Sequence, residues 1–185
     1  MGGINRSFVS FLWVFLFFLS GAGAADIRTV PLNINVILDG SRDMRAFMDE
    51  AADWLCDYLV EGVLSEGDRL NIWIAGERAR TAYSGVLAGE GWKETLKKIF
   101  RSVVPASGQA DFTGALQEAS RSPEGKAGDI PAYTILVSSG GLIPGGDAYL
   151  RYSRNREFSG WRVLTVALNA GPAVRAAVQA YLGGG

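Results

Sequence analysis

Residues 32–44 read LNINVILDGSRDM, and the reading of this stretch decides the fold. Ile34, Val36, Ile37 and Leu38 are dense and partly β-branched, which predicts a strand in the middle of a sheet. The strand runs straight into Asp39, Ser41 and Asp43, three oxygen-bearing side chains on alternate positions, just before a helical pattern. A loop at the carboxyl end of a strand and ahead of a helix is where open α/β sheets place their ligands. Asn33 and Asn35 are the anomaly: amides on one face of a buried strand need hydrogen-bond partners, and the sequence does not name them.

Downstream, Met44, Phe47, Met48, Ala51, Leu55, Tyr58 and Leu59 recur at three- and four-residue steps and predict one long amphipathic helix. DRLNIWIAG (68–76) follows as a strand, and ARTAYSGVL (79–87) as its hairpin partner. Trp92, Leu96, Ile99, Phe100 and Val103 form the inner stripe of another helix, with Lys93, Lys97, Lys98 and Arg101 as its solvated face. DFTGALQEAS (111–120) reads as a helix, YTILVSS (133–139) and WRVLTVAL (161–168) as buried strands, and 147–158 and about 173–182 as helices. Strands alternating with helices predict an α/β fold of doubly wound, Rossmann-like type, three layers deep. Its sheet is mostly parallel with one antiparallel edge strand, and helices cover both faces.

The first 24 residues have the three-part layout of a secretory signal peptide: a polar start with Arg6, an apolar run over 8–19, and the small residues Ala22, Gly23 and Ala24. A run of about a dozen apolar residues is short for a bilayer span. Cleavage after Ala24 is expected to leave 25–185 as one exported domain with no stable membrane span, periplasmic in a Gram-negative bacterium and secreted otherwise. An uncleaved anchor is the alternative. Removing the leader takes away one Arg and no acidic residue, leaving 17 basic against 19 acidic residues. That balance names no partner, and nucleic acid would require a basic face that it does not supply.

Cys56 is the only cysteine, so no internal disulfide forms; a buried inert thiol and an intermolecular bridge are the two readings. There is no histidine, which excludes Ser-His and Cys-His hydrolase schemes and histidine zinc sites. An Asp nucleophile for phosphoryl transfer would resemble D-x-D where Ser41 stands, and SPEGK (122–126) lacks the Gly and Ser or Thr of a phosphate loop. The expectation is a protein without catalytic activity.

Three segments are predicted to meet at one end of the sheet: the loop after Leu38, the turn SGQADF (107–112) and the loop VSSGG (137–141). In order and spacing these resemble the von Willebrand factor type A (vWA) domain over nearly all of the chain after the leader. GDRLNIWIAGERAR (67–80) is similar to that family's second strand and hairpin, and TGALQEA (113–119) to the helix that follows. The resemblance implies a metal-ion-dependent adhesion site, in which D-x-S-x-S, a Thr and an Asp hold one divalent cation, Mg²⁺ or Mn²⁺. Position by position, Asp39 and Ser41 match, Asp43 replaces the second Ser, Ala110 stands in the Thr slot and Ser139 in the slot of the last Asp. The metal set carried over is therefore Asp39, Ser41, Asp43 and Ser139, a degenerate version of the site.

Each of these residues has a second reading. Asp43 caps the helix that follows, and Asp39 is held by its own loop and Ser41 or paired with Arg42. Ser138 and Ser139 are small residues at a tight turn. YLRYSRNREF (149–158) interleaves Arg with Tyr and Phe, a mix favoured at interfaces. The expected function is metal-independent binding of a protein partner through the loop end, with Arg42, Asp111, Arg151, Tyr152 and Arg154 as contact residues. The metal-dependent adhesion reading is the alternative.

Overall fold

The structure is a computed structural model that describes residues 28, 30–106, 108–121, 132–139 and 162–168, all but the first two within the compact unit Pro31–Gly185. In chain order they form β1 (Asn33–Asp39), a 3-10 turn (Arg42–Ala46), α1 (Met48–Trp54), a π-helical segment (Leu55–Val60), β2 (Arg69–Ala75) and β3 (Ala79–Val86). Then come α2 (Trp92–Arg101), α3 (Phe112–Arg121), β4 (Ala132–Ser138) and β5 (Arg162–Ala167). The leader expected over 1–24 and the helices expected at 147–158 and 173–182 lie outside the described residues.

The strands form one five-stranded sheet in the order β3-β2-β1-β4-β5. β1 pairs in parallel with β2 and β4, and β4 with β5, while β2 and β3 form the antiparallel edge pair. A register shift at Ile72/Trp73 interrupts that edge ladder, as bulges do near sheet edges. This is the expected mostly parallel α/β sheet, and β1 lies at its centre with every residue buried.

Side chains alternate across a strand, so β1 feeds two cores. Ile34, Val36 and Leu38 join Leu70, Ile72, Ile74, Ile135 and Val137 on one face, under Ala51, Leu55 and Leu59 of the first helical stretch and Leu96 and Phe100 of α2. Ile37, Trp73, Ala75 and Leu136 point to the other face, against Phe112, Ala115, Leu116 and Ala119 of α3. Helices thus cover both faces. Fully burying one such aliphatic side chain is worth about 1.5–3 kcal/mol, which is why the strands are apolar on both sides.

The single helix expected from Met44 to Leu59 is instead three pieces. Phe47, at φ −120° and ψ 0°, leaves helical geometry and ends the 3-10 turn, and α1 restarts after it. Beyond Trp54 the ladder widens to i→i+5 bonds, as from Glu61 N–H to the Cys56 carbonyl at 3.2 Å. The wider turn keeps Leu55, Cys56, Leu59 and Val60 inside and leaves Asp57 and Tyr58 exposed. Cys56 is a free thiol in this core, and burial pushes its pKa up.

The unexplained amides of β1 have a partial answer in the register. Asn35 lies opposite Asn71 on β2, whose Nδ2 donates to Asn35 Oδ1 at 3.0 Å. Ser84 on β3 continues the row by donating to Asn71 Oδ1 at 2.8 Å. At the start of β2, buried Asp68 accepts from the Leu32 and Ser65 N–H groups, both at 2.8 Å, and ties the entry of β1 to the sheet.

Candidate functional site

At the carboxyl end of β1 the chain leaves the sheet through Asp39 and Gly40. Gly40 is needed for close approach: a Cβ there would lie 2.8 Å from Ile74 Cγ2 and 3.3 Å from the Ala75 carbonyl oxygen. The Gly40 N–H donates to that carbonyl at 2.9 Å, so the first loop crosses directly over the end of β2.

The second loop is sewn onto the first by backbone bonds. Ala106 N–H donates to the Gly40 carbonyl at 2.8 Å, and Arg42 N–H to the Gly108 carbonyl at 3.1 Å. Asp111 N–H reaches the Gly76 carbonyl at 2.8 Å, just past β2. Ala110, between these anchors, packs against the apolar cluster of Ile37, Trp73 and Ala75 and offers no side-chain oxygen.

The third loop arrives with β4, whose pairing of Leu38 with Val137 puts Ser138 beside Asp39. Ser138 Oγ donates to Asp39 Oδ2 at 3.0 Å. The other carboxylate oxygen accepts the Ser41 N–H at 2.8 Å. Asp39 is fully buried, with Ser41, Ser138 and Ser139 buried around it. The three chain crossings expected to converge do so.

The remaining site residues divide. Asp43 is exposed in the first turn of the 3-10 segment, where a carboxylate suits the local dipole. Arg42 is exposed beside it. Asp111 is exposed and caps α3, its Oδ1 accepting the Gly114 N–H at 2.7 Å. Arg151, Tyr152 and Arg154 lie outside the described residues. The third-loop slot of the resemblance falls on Ser139, yet Ser138 is the one that bonds to Asp39. Strand register was the signal that distinguishes them. Ser41 Oγ is buried without a hydrogen-bond partner among the described residues.

A divalent ion at this rim would meet one buried carboxylate and the hydroxyls of Ser41, Ser138 and Ser139. Mg²⁺ takes near-octahedral oxygen coordination, usually through one or two carboxylates and several waters, and each Asp39 oxygen also accepts a protein hydrogen bond. Among the described residues no group of three or more His, Cys, Asp or Glu side chains is placed to hold a metal.

No protein-family model matches the sequence, and no curated protein matches it. Solved structures do. A von Willebrand factor type A protein from Catenulispora acidiphila superposes with a TM-score of 0.56 at 17% identity, over 74% of this chain and 33% of that one. The fold is that of a von Willebrand factor type A domain.

BatB from Bacteroides thetaiotaomicron matches the same vWA fold with a TM-score of 0.55 at 16% identity, over 74% of this chain and 66% of that one. Proximal thread matrix protein 1 from the mussel byssus, in a form with a zinc-occupied MIDAS motif, gives 0.54 at 16% identity, over 75% and 36%. This chain therefore spans about one third to two thirds of the length of these vWA-containing chains. No helix among the described residues is long and apolar enough to cross a membrane.

Proposed function

We propose that this chain is an exported protein-binding module that docks a protein partner through the loops at the carboxyl end of its sheet, without a metal ion and without catalysis. The observation that carries the reading is the state of Asp39. Its buried carboxylate is held by the Ser41 N–H and the Ser138 hydroxyl, so the rim is organised by protein donors. Around it, exposed Arg42, Asp43 and Asp111 offer charged contacts on loops sewn to one another, and Arg151, Tyr152 and Arg154 are the further contact residues proposed. Loops carrying exposed charges on a packed scaffold are the usual place for recognition.

The test is crosslinking capture from the native envelope with the intact chain and with an Asp39→Ala, Asp43→Ala double variant, each checked for folding by circular dichroism. A partner captured by the parent and lost by the folded variant is the expected result; capture of the same partner by both would place the binding surface elsewhere. Export is tested by sequencing the amino terminus of the mature protein, expected at Ala25.

A second reading keeps a divalent cation at Asp39, Ser41, Asp43 and Ser139, with a partner's acidic side chain completing its shell. What favours it is Ser41 Oγ, buried and without a partner among the described residues. A ligand that binds only the folded state raises the Tm, so this reading requires Mg²⁺ or Mn²⁺ to do so.

A further inference from the structure

We propose that the rim recognises a primary ammonium group, a lysine side chain of the protein partner, which enters beside Asp39 and Ser41. The inference rests on the docking function proposed above and names the chemistry the partner must carry. Asp39 is a fully buried carboxylate whose hydrogen bonds among the described residues come from two neutral donors, the Ser41 N–H and the Ser138 hydroxyl. The ion pairs at Lys93, Lys97 and Arg101 lie with Glu61, Glu94 and Asp53 and do not reach Asp39. Removing a carboxylate from water without a counter-charge costs several kcal/mol, and a carboxylate has about four acceptor positions, of which these bonds take two.

The unfilled acceptors point to the kind of cation. Ser41 Oγ is buried with no partner among the described residues, and Ser139 is 4% exposed next to Ser138. One negative charge with hydroxyl acceptors nearby matches an ammonium, a compact monovalent cation with three N–H donors and no acceptor. A guanidinium, by contrast, is a wide planar fork. The rim outside carries exposed Asp43, Glu77 and Asp111 alongside exposed Arg42, Arg78 and Arg80, a mixed surface whose carboxylates are open to a lysine. Because Asp39 and Ser41 are closed to solvent in the free chain, entry requires the loops to part, and the resulting pair forms away from water, where it is strongest.

The test supplies the cation in cis. Ala110 lies between Gly108, bonded to Arg42, and Asp111, bonded to Gly76, so a lysine there starts at the rim. Ala110→Lys is compared with Ala110→Met, a chain of similar reach without charge, each in the parent and in Asp39→Asn. The expected result is a Tm higher by about 2–4 °C for Ala110→Lys than for Ala110→Met, with the difference abolished by Asp39→Asn. An equal Tm for the two, or a difference that survives Asp39→Asn, overturns the inference. Should Ala110→Lys fail to fold, melts of the parent decide. Methylammonium chloride is expected to raise the Tm above tetramethylammonium chloride at equal ionic strength, and a rise with magnesium chloride alone overturns the proposal. Partner capture that depends on Asp39 and Asp43, without these ammonium effects, leaves the docking function standing and removes only the lysine.

Discussion

Ser138 Oγ and Asp39 Oδ2 are joined at 3.0 Å across the β1–β4 pair, 99 residues apart in sequence. The bond links the first and third loops of the rim and supplies one of the two neutral donors on a buried carboxylate. A hydrogen bond to a charged group is worth about 1.5–3 kcal/mol. Ser138→Ala is therefore expected to destabilise the fold by roughly that amount in denaturant melts, and Ser139→Ala by well under half of it. Equal losses for the two variants would show that the third loop engages Asp39 differently.

The amide row makes a separate prediction about the sheet. Asn71 stands between Asn35 and Ser84, donating to one and accepting from the other. Asn71→Ala leaves a buried acceptor on Asn35 without its donor, at a cost of about 1–3 kcal/mol. Combining Asn35→Leu with Asn71→Leu removes both partners, and the double variant is expected to lose less stability than the two single losses added together. Strict additivity in urea titrations would mean that the two amides do not interact.

Glu61 gives the pH dependence. Hydrogen bonds from Lys93 and Lys97, at 2.8 and 2.6 Å, hold its carboxyl at about 2, against an ordinary value of 4.5, and the same cluster pushes the Lys97 pKa up. The folded value is the lower one, so the stabilisation is fully present above about 4.5 and is lost as pH falls from there through about 2. Glu61 is exposed and Lys93 and Lys97 are half-buried at the surface, so salt screens the cluster and the net effect on stability is small. An NMR titration of the Glu61 side chain is expected to show a midpoint near 2 at low salt that rises at high salt. A midpoint at the ordinary value at low salt would mean that the cluster does not form in solution.

How much of this was legible in the sequence follows from how local each feature is. β1, β2 and the inner stripe of α2 were readable because burial on both faces of a central strand, or on one face of a helix, leaves a pattern within a few residues. The convergence of Asp39 with the second and third loops followed from strand order and the position of the loops at strand ends. The break at Phe47 and the π-helical segment were not readable, because Met44, Ala51, Leu55 and Leu59 keep a helical spacing through both. Likewise the partner of Asn35 lies 36 residues away and the choice of Ser138 over Ser139 turns on a one-residue register, and register is fixed by pairing between strands.

Asp39 tests the central claim most directly, because the proposed function has the Ser41 N–H and the Ser138 hydroxyl organise the rim without a divalent cation. The measurement is the Tm of the intact chain in millimolar Mn²⁺, in Mg²⁺ and in chelator. The expected result is one Tm in all three, with Asp39→Ala lower than the parent by the same amount in each. A Tm that rises with Mn²⁺ or Mg²⁺ in the parent, and no longer does so in Asp39→Ala, would contradict it.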